Sequence, residues 1–263
     1  MLGDISYFQQ VLWAVNVAAE ATLAALLVLR KNYRLYPAFF FYVLLAIIRD
    51  ILLFVTYRQW GFNSMIAWRV SWVTLGVVIC ARALAVTEVC RHLLGRFRGI
   101  WALAWRFLLV CAAFVLLYSL LVSKHEWTLV VPSADRGLEF AIATVIVVLL
   151  LFARHYEMDA APADRWLAVG FCLLSCFSVI NNTILERWLY QVAELWNVLG
   201  MLTFLASLLL WVWALRKALP AAAPEQPLLP GSVYQTFAPE INLHLRLFNE
   251  QLSRFWKVEA ERS

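Results

Sequence analysis

The stretch YPAFFFYVLLAIIRDILLFVTY, Tyr36 to Tyr57, decides the reading of this chain. It is long enough to cross a bilayer, which takes about 20 apolar residues, and it carries Arg49 and Asp50 near its middle. On an insertion scale its dozen or so Phe, Leu, Ile and Val residues contribute roughly −0.3 to −0.6 kcal/mol each, and two charges at about +2.5 to +3.5 nearly cancel them. Adjacent helical residues point about 100° apart, so Arg49 and Asp50 do not simply neutralise each other. Each needs a partner on another helix or in a polar interior.

The rest of the chain agrees with a membrane setting. Of 263 residues, 63% are hydrophobic and only 15% charged, with a mean hydropathy of +0.75, whereas soluble domains are about one quarter charged. The fold class expected is all-α, a polytopic helical membrane protein. Apolar runs place seven spans at about Phe8 to Arg30, Tyr36 to Tyr57, Met65 to Cys90, Gly99 to Val122, Gly137 to Phe152, Arg165 to Leu185 and Leu189 to Leu215. Residues 1–217 thus form a seven-helix bundle, and no separate soluble domain fits.

Charge distribution orients the bundle. The first connection, KNYRLY, and the third, RHLLGRFRG, are far more basic than the start MLGDISYFQQ or the Glu186-Arg187 turn. By the positive-inside rule the N-terminus is outside, and the tail after Arg216 and Lys217 is cytoplasmic. The net charge of +5 is therefore a topology signal, and no nucleic-acid partner is implied. The first apolar run ends in Arg30 and Lys31 without a small-residue cleavage site, which argues against a signal peptide. Pro37 suits the first turn of a helix. Trp60, Trp68, Trp127, Trp188 and Tyr190 mark the outer interface.

Beyond the bundle, residues 218–238 read as a Pro/Ala-rich linker. Residues 239–258 follow as an amphipathic cytoplasmic helix, with Ile241, Leu245, Phe248, Leu252 and Phe255 on one face. That face lies on the inner leaflet, packs on the bundle, or docks a cytoplasmic protein partner.

Intramembrane polar residues are the candidate site. At 1.5 Å per residue, Asn16, Arg49, Asp50, Asn181, Asn182, Glu194 and Asn197 fall in the outer half of the first, second, sixth and seventh spans, with Glu20 one turn deeper than Asn16. A closed ring of seven brings the last span beside the first, so these side chains converge. The convergence admits a ligand or ion pocket, a proton pathway, or a purely architectural network in which Arg49 pairs with Glu20 or Glu194 and asparagines hold Asp50. Arg82 is expected to snorkel to the inner face, Glu88 to bridge to Arg91 and His92, and Glu139 and Arg69 to be solvated at the outer rim or to form the mouth of the pocket.

Several chemistries lack their residues. The four histidines, His92, His125, His155 and His244, show no H-E-x-x-H or Cys/His spacing for a metal and no haem pair. The five cysteines lie in or at the ends of apolar segments and form no disulfide framework. There is no G-x-S-x-G elbow and no Walker loop. No lysine lies between Leu189 and Leu215 to hold a retinal Schiff base. The expectation is a non-enzymatic sensor or receptor-like protein of a bacterial inner membrane, without cofactor. It would bind a small polar or zwitterionic ligand at Arg49 and Asp50 or Glu194 and report through the tail. The alternatives are a cation- or proton-coupled transporter or channel using Asp50, Glu194 and Glu20, and a scaffold that recruits a partner through the tail helix.

Overall fold

The computed structural model describes residues 7–61, 64–94, 105–106, 108–110, 112–115, 117–118, 121, 127–155, 161–188, 193–217, 219, 243 and 246–251. For residues 7, 127–133, 155, 181–188, 193–194 and 196–197 this covers the backbone alone. Six long helices are described: α1 (Tyr7–Leu29), α2 (Pro37–Trp60), α3 (Met65–Leu94), α4 (Trp127–His155), α5 (Pro162–Trp188) and α6 (Ala193–Leu215). Each contains a window long and apolar enough to span a bilayer. The protein is thus an all-helical membrane-type bundle.

The apolar surface is turned outward. Phe41, Ile48, Ile51 and Leu52 on α2, Val73, Val77 and Leu84 on α3, Phe140, Val148 and Leu151 on α4, and Leu202, Leu209 and Trp213 on α6 are all exposed. Asn16, Glu20, Arg82, Glu139 and Ser175 are buried instead. A soluble protein of this size would reverse that arrangement, whereas lipid as solvent demands it. The helices pack in chain order, α1 on α2, α2 on α3, α3 on α4, α4 on α5 and α5 on α6, and α6 returns against α1. The six described helices form a closed ring, with α3 also reaching across to α5.

The connection between α1 and α2 is tight and chemically specified. Lys31 takes a left-handed φ of 58° and a single 3-10 turn, Asn32–Arg34, reverses the chain between α1 and α2. Pro37 occupies the first turn of α2 as its fixed φ and missing N–H favour. Tyr36 precedes it and has no side-chain oxygen within reach of the next turn's amides. The missing cap comes from α3: the Glu88 carboxylate accepts from the Ala38 and Phe39 amides at 3.2 and 2.9 Å. This corrects the expected local bridge from Glu88 to Arg91 and His92. A carboxylate at the positive end of a neighbouring helix is a stronger demand than a solvated pair.

A clasp of polar side chains ties the basic ends of the helices together. The Tyr36 hydroxyl donates to Asp164 on α5 at 2.6 Å, and His92 Nδ1 on α3 lies 3.5 Å from the same carboxylate. Burial, and then the Asp164 and Glu88 carboxylates, push the Tyr36 phenol above its ordinary range, so it stays a donor. Asn32 holds the far end of α6: its Nδ2 donates to the Leu215 and Lys217 carbonyls at 3.2 and 3.1 Å, and its Oδ1 accepts from the Leu219 amide at 3.0 Å. It supplies both halves of a C-cap for the helix from which the tail departs.

Above the clasp, four buried rings close the middle of the ring. Trp211 packs against Phe39, Tyr42 and Phe171 at centroid separations of 5.2, 6.2 and 4.8 Å. Its indole N–H donates to the Leu167 carbonyl at 3.2 Å. Only Gly170 leaves room for that indole; a Cβ there would overlap Trp211 Nε1 outright. Gly170→Ala should therefore lower stability by about 1–3 kcal/mol through overpacking. Pairing it with Trp211→Phe should recover part of the loss. Thermal unfolding in lipid nanodiscs measures both, and a wild-type melting temperature for Gly170→Ala would refute the close approach.

Candidate functional site

The site is built from the polar residues that face inward on five helices. Asn16 and Glu20 stand one turn apart on α1 and are 2% and 1% exposed. Asn16 Nδ2 donates to the Met201 carbonyl of α6 at 3.4 Å, across the seam that closes the ring. Arg49 and Asp50 on α2 are half-buried. Trp13 Nε1 on α1 donates to Asp50 at 3.3 Å, and Trp13 stacks on Phe54 with centroids 4.9 Å apart. Glu20 lies within electrostatic range of both Arg49 and Asp50. The first- and second-span candidates are thus brought together.

A second group faces them from the other side of the ring. Arg82 on α3 forms an ion pair with Glu139 on α4 and approaches Asp135, one turn away, at 3.7 Å. Arg82 and Glu139 are 7% and 1% exposed, so this is a buried pair, not a surface one. Tyr42, at the edge of the aromatic cluster, is in electrostatic range of Arg82 and Glu139 on one side and of Glu20 and Arg49 on the other. Asp135 likewise senses Arg49. Together the two groups form one network.

Depth explains why these residues meet. Counted from the basic end of each helix at 1.5 Å per residue, Glu20, Arg49, Arg82, Ser175, Asn16 and Glu139 lie about 14, 18, 18, 20, 20 and 24 Å in. All sit near the middle of the bundle. Two expectations are corrected here: Arg82 does not snorkel inward, and Glu139 is not solvated at the outer rim. Both errors come from helix ends. α3 runs on to Leu94 instead of stopping at Cys90, and α4 begins at Trp127, ten positions before Gly137. Each extension moves its charge toward the bundle centre. Asn181 and Asn182 on α5 and Glu194 and Asn197 on α6 lie on described helical backbone, but their side chains are outside the described residues. Asp135, Arg82, Tyr42 and Trp13 belong to the network without having been singled out for it, and Glu139, expected at the rim or at the mouth of a pocket, lies within it. The signal for Arg82 was present, since a third-span arginine inside the bundle needs a carboxylate and Glu139 comes within its reach once the two helix ends are placed.

The arrangement leaves polar atoms without hydrogen-bond partners among the described residues. Asn16 Oδ1, Glu20 Oε2, Arg49 Nε, Arg82 Nε, Asp135 Oδ1, Glu139 Oε2 and Ser175 Oγ are buried and make no hydrogen bond to any described residue, although Asp135 Oδ1 keeps the longer ion-pair contact with Arg82. Native interiors pair more than nine in ten such groups, so these orphans on five helices single out the polar middle of the bundle as the candidate site. Below it the Phe39, Tyr42, Phe171 and Trp211 rings seal off the basic end. Among the described residues no group of three or more His, Cys, Asp or Glu side chains is placed to hold a metal ion.

Breaking the buried pair by Arg82→Gln should cost about 3–5 kcal/mol, because Glu139 is left charged and alone. Replacing both residues by Met should cost less than either single change. Unfolding of the two singles and the double in nanodiscs forms the cycle; additive effects would show that the pair is not coupled. Comparison of the chain with protein-family models, with curated proteins and with solved structures finds no match, so the geometry of this interior network carries the functional reading.

Proposed function

We propose that this chain is a non-enzymatic, receptor-like membrane sensor that binds a small polar ligand in the middle of its bundle and reports through the cytoplasmic tail. The observation that carries the reading is the set of unpartnered buried polar atoms on five helices, lying above an aromatic seal. A through-pore has no use for such a seal, whereas a site open from one side does.

The full layout has seven spans, an outside N-terminus and a cytoplasmic tail, in a bacterial inner membrane. Between α3 and α4 the described residues from Trp105 to Leu121 are helical, and Trp105, Leu109, Val110, Phe114, Leu117 and Leu121 are exposed. Val115 packs 3.0 Å from where a Cβ of Gly137 would stand, which supports a further helix beside α4. The tail starts from α6, the helix that carries Trp211 in the seal and is held by Asn32 at its end. A shift of α6 caused by ligand in the network is therefore felt where the tail begins. Transmission requires two states that the ligand binds unequally, and the clasp supplies a contact that can differ between them.

In the tail, residues 246–251 are helical, with an Arg246 to Glu250 bridge at 3.1 Å and Phe248 47% exposed. Ile241, Leu245, Leu252 and Phe255 of the proposed partner face lie outside the described residues. A probe attached to a cysteine at Leu247, which is exposed, reports on this segment. Substitutions Glu20→Gln and Asp50→Asn should change its spectrum or mobility, and Asn32→Ala should remove that response. A probe blind to every network substitution would end the sensor reading.

One observation favours a second reading, cation- or proton-coupled transport: carboxylates outnumber guanidinium groups in the network. It requires the seal to open. Gradient-driven flux in reconstituted vesicles, lost on Asp50→Asn, would establish it, and a tight vesicle with no flux would remove it.

A further inference from the structure

At the basic end of the bundle an exposed cation is held in place without an acidic partner. Arg216 follows the last turn of α6, and its guanidinium carbon stands 4.9 Å from the centre of the Trp213 ring. Trp213 in turn meets Trp166 of α5 edge to face, with centroids 5.0 Å apart. One planar cation and two indoles thus stack across the seam between α5 and α6, each fixing the next. Among the described residues Arg216 and its neighbour Lys217 form no ion pair. Glu88 and Asp164, at the same end, are already engaged, the first by the α2 amides and the second by Tyr36 and His92.

The level of the stack says what surrounds it. Counted at 1.5 Å per residue, Trp213 lies about 3 Å from the end of α6 and Trp166 about 6 Å from the start of α5. That is where the headgroups and glycerol of a bilayer meet amphipathic rings. Both rings are partly open, Trp213 at 45% and Trp166 at 36% exposure. Farther in, Leu209 and Leu202 on α6 and Leu173 and Ile180 on α5 repeat at intervals of seven residues and are exposed as well. An apolar track therefore leads from the cation into the hydrocarbon layer.

A free phosphate or an acidic peptide would answer Arg216 and leave the track uncovered. A zwitterionic lipid would cover the track but bring a cation of its own to the same phosphate. We infer that the seam between α5 and α6 binds an anionic phospholipid at the basic end, with its phosphate on Arg216 beside Lys217 and an acyl chain along Leu209 and Leu173. Arg216 falls between Leu215 and Lys217, whose carbonyls Asn32 caps, so the bound headgroup lies where the tail leaves the bundle.

The test uses the full chain in neutral detergent and two lipids with identical chains, dioleoyl phosphatidylglycerol and dioleoyl phosphatidylcholine, with bound lipid counted by native mass spectrometry. Phosphatidylglycerol should bind about fivefold or more tightly at one site, the factor expected for one basic residue at an anionic headgroup. Arg216→Gln should remove that preference, and Arg216→Lys, which restores the charge, should restore most of it. Arg216 is exposed, so neither change disturbs the packed interior. Arg34→Gln should leave the preference intact, because Arg34 is a fully exposed arginine of the same end that lies over Tyr33 instead. Glycerol phosphate, the headgroup without chains, should not displace the lipid at equal concentration. Equal binding of the two lipids, displacement by glycerol phosphate, or a loss on Arg34→Gln as large as on Arg216→Gln overturns the assignment.

Discussion

Lipid cannot solvate a charge, and that constraint organises this protein more than any single contact does. Among the described residues, the ionisable side chains Glu20, Arg49, Asp50, Arg82 and Glu139 are placed well inside helices whose outer surfaces are Phe, Leu, Ile and Val. They are tolerable only if every helix turns its charge toward a common interior, which is what the closed ring achieves by bringing α6 back to α1. The Arg82 to Glu139 pair is the firmest element of that interior. It links α3 to α4 across a part of the chain where the two helices share less packing than most neighbours do. Its buried position adds little net stability and fixes which faces of α3 and α4 meet.

Two further features lie between the interior network and the basic end of the bundle. The aromatic group of Phe39, Tyr42, Phe171 and Trp211 divides the bundle into a polar middle and a sealed basic end. The clasp of Asn32, Tyr36, Glu88, His92 and Asp164 then joins the ends of α2, α3, α5 and α6 below that seal. Trp211 belongs to the seal and Leu215 to the clasp, and both lie on α6 one turn apart. A rearrangement in the polar middle has a short mechanical route to the chain's exit toward the tail.

Much of this was legible in the sequence. Hydropathy reveals the class and most helices; Arg49 and Asp50 betray a polar interior, and Pro37 marks its helix start. Partner choice was less legible. Arg82 and Glu139 are 57 positions apart in the chain, and assigning them a common depth requires knowing where two helices begin and end. Those ends are not set by apolar content. α4 starts at Trp127, and the ion pairs of Asp135 and Glu139 make its polar early turns stable inside the bundle. Glu88 was misread for a related reason: its neighbours in sequence suggested a local bridge, but the unmet amides of α2 made the stronger claim. Tertiary demand overrode local pairing in both cases.

The central claim is that charged side chains from α1 to α4 share a polar interior that is open from one side and closed on the other by Trp211 and its neighbours. Site-directed labelling from each side of sealed vesicles measures this directly, in a background with the native cysteines replaced by alanine. Single cysteines at Glu20, Asp50 and Asp135 should react with a small impermeant thiol reagent applied from the side opposite the basic loops. They should stay protected from the basic side until Trp211 is replaced by Ala. Protection from both sides would mean a solidly filled interior, and equal labelling from both sides would mean an open pore; either result contradicts the account.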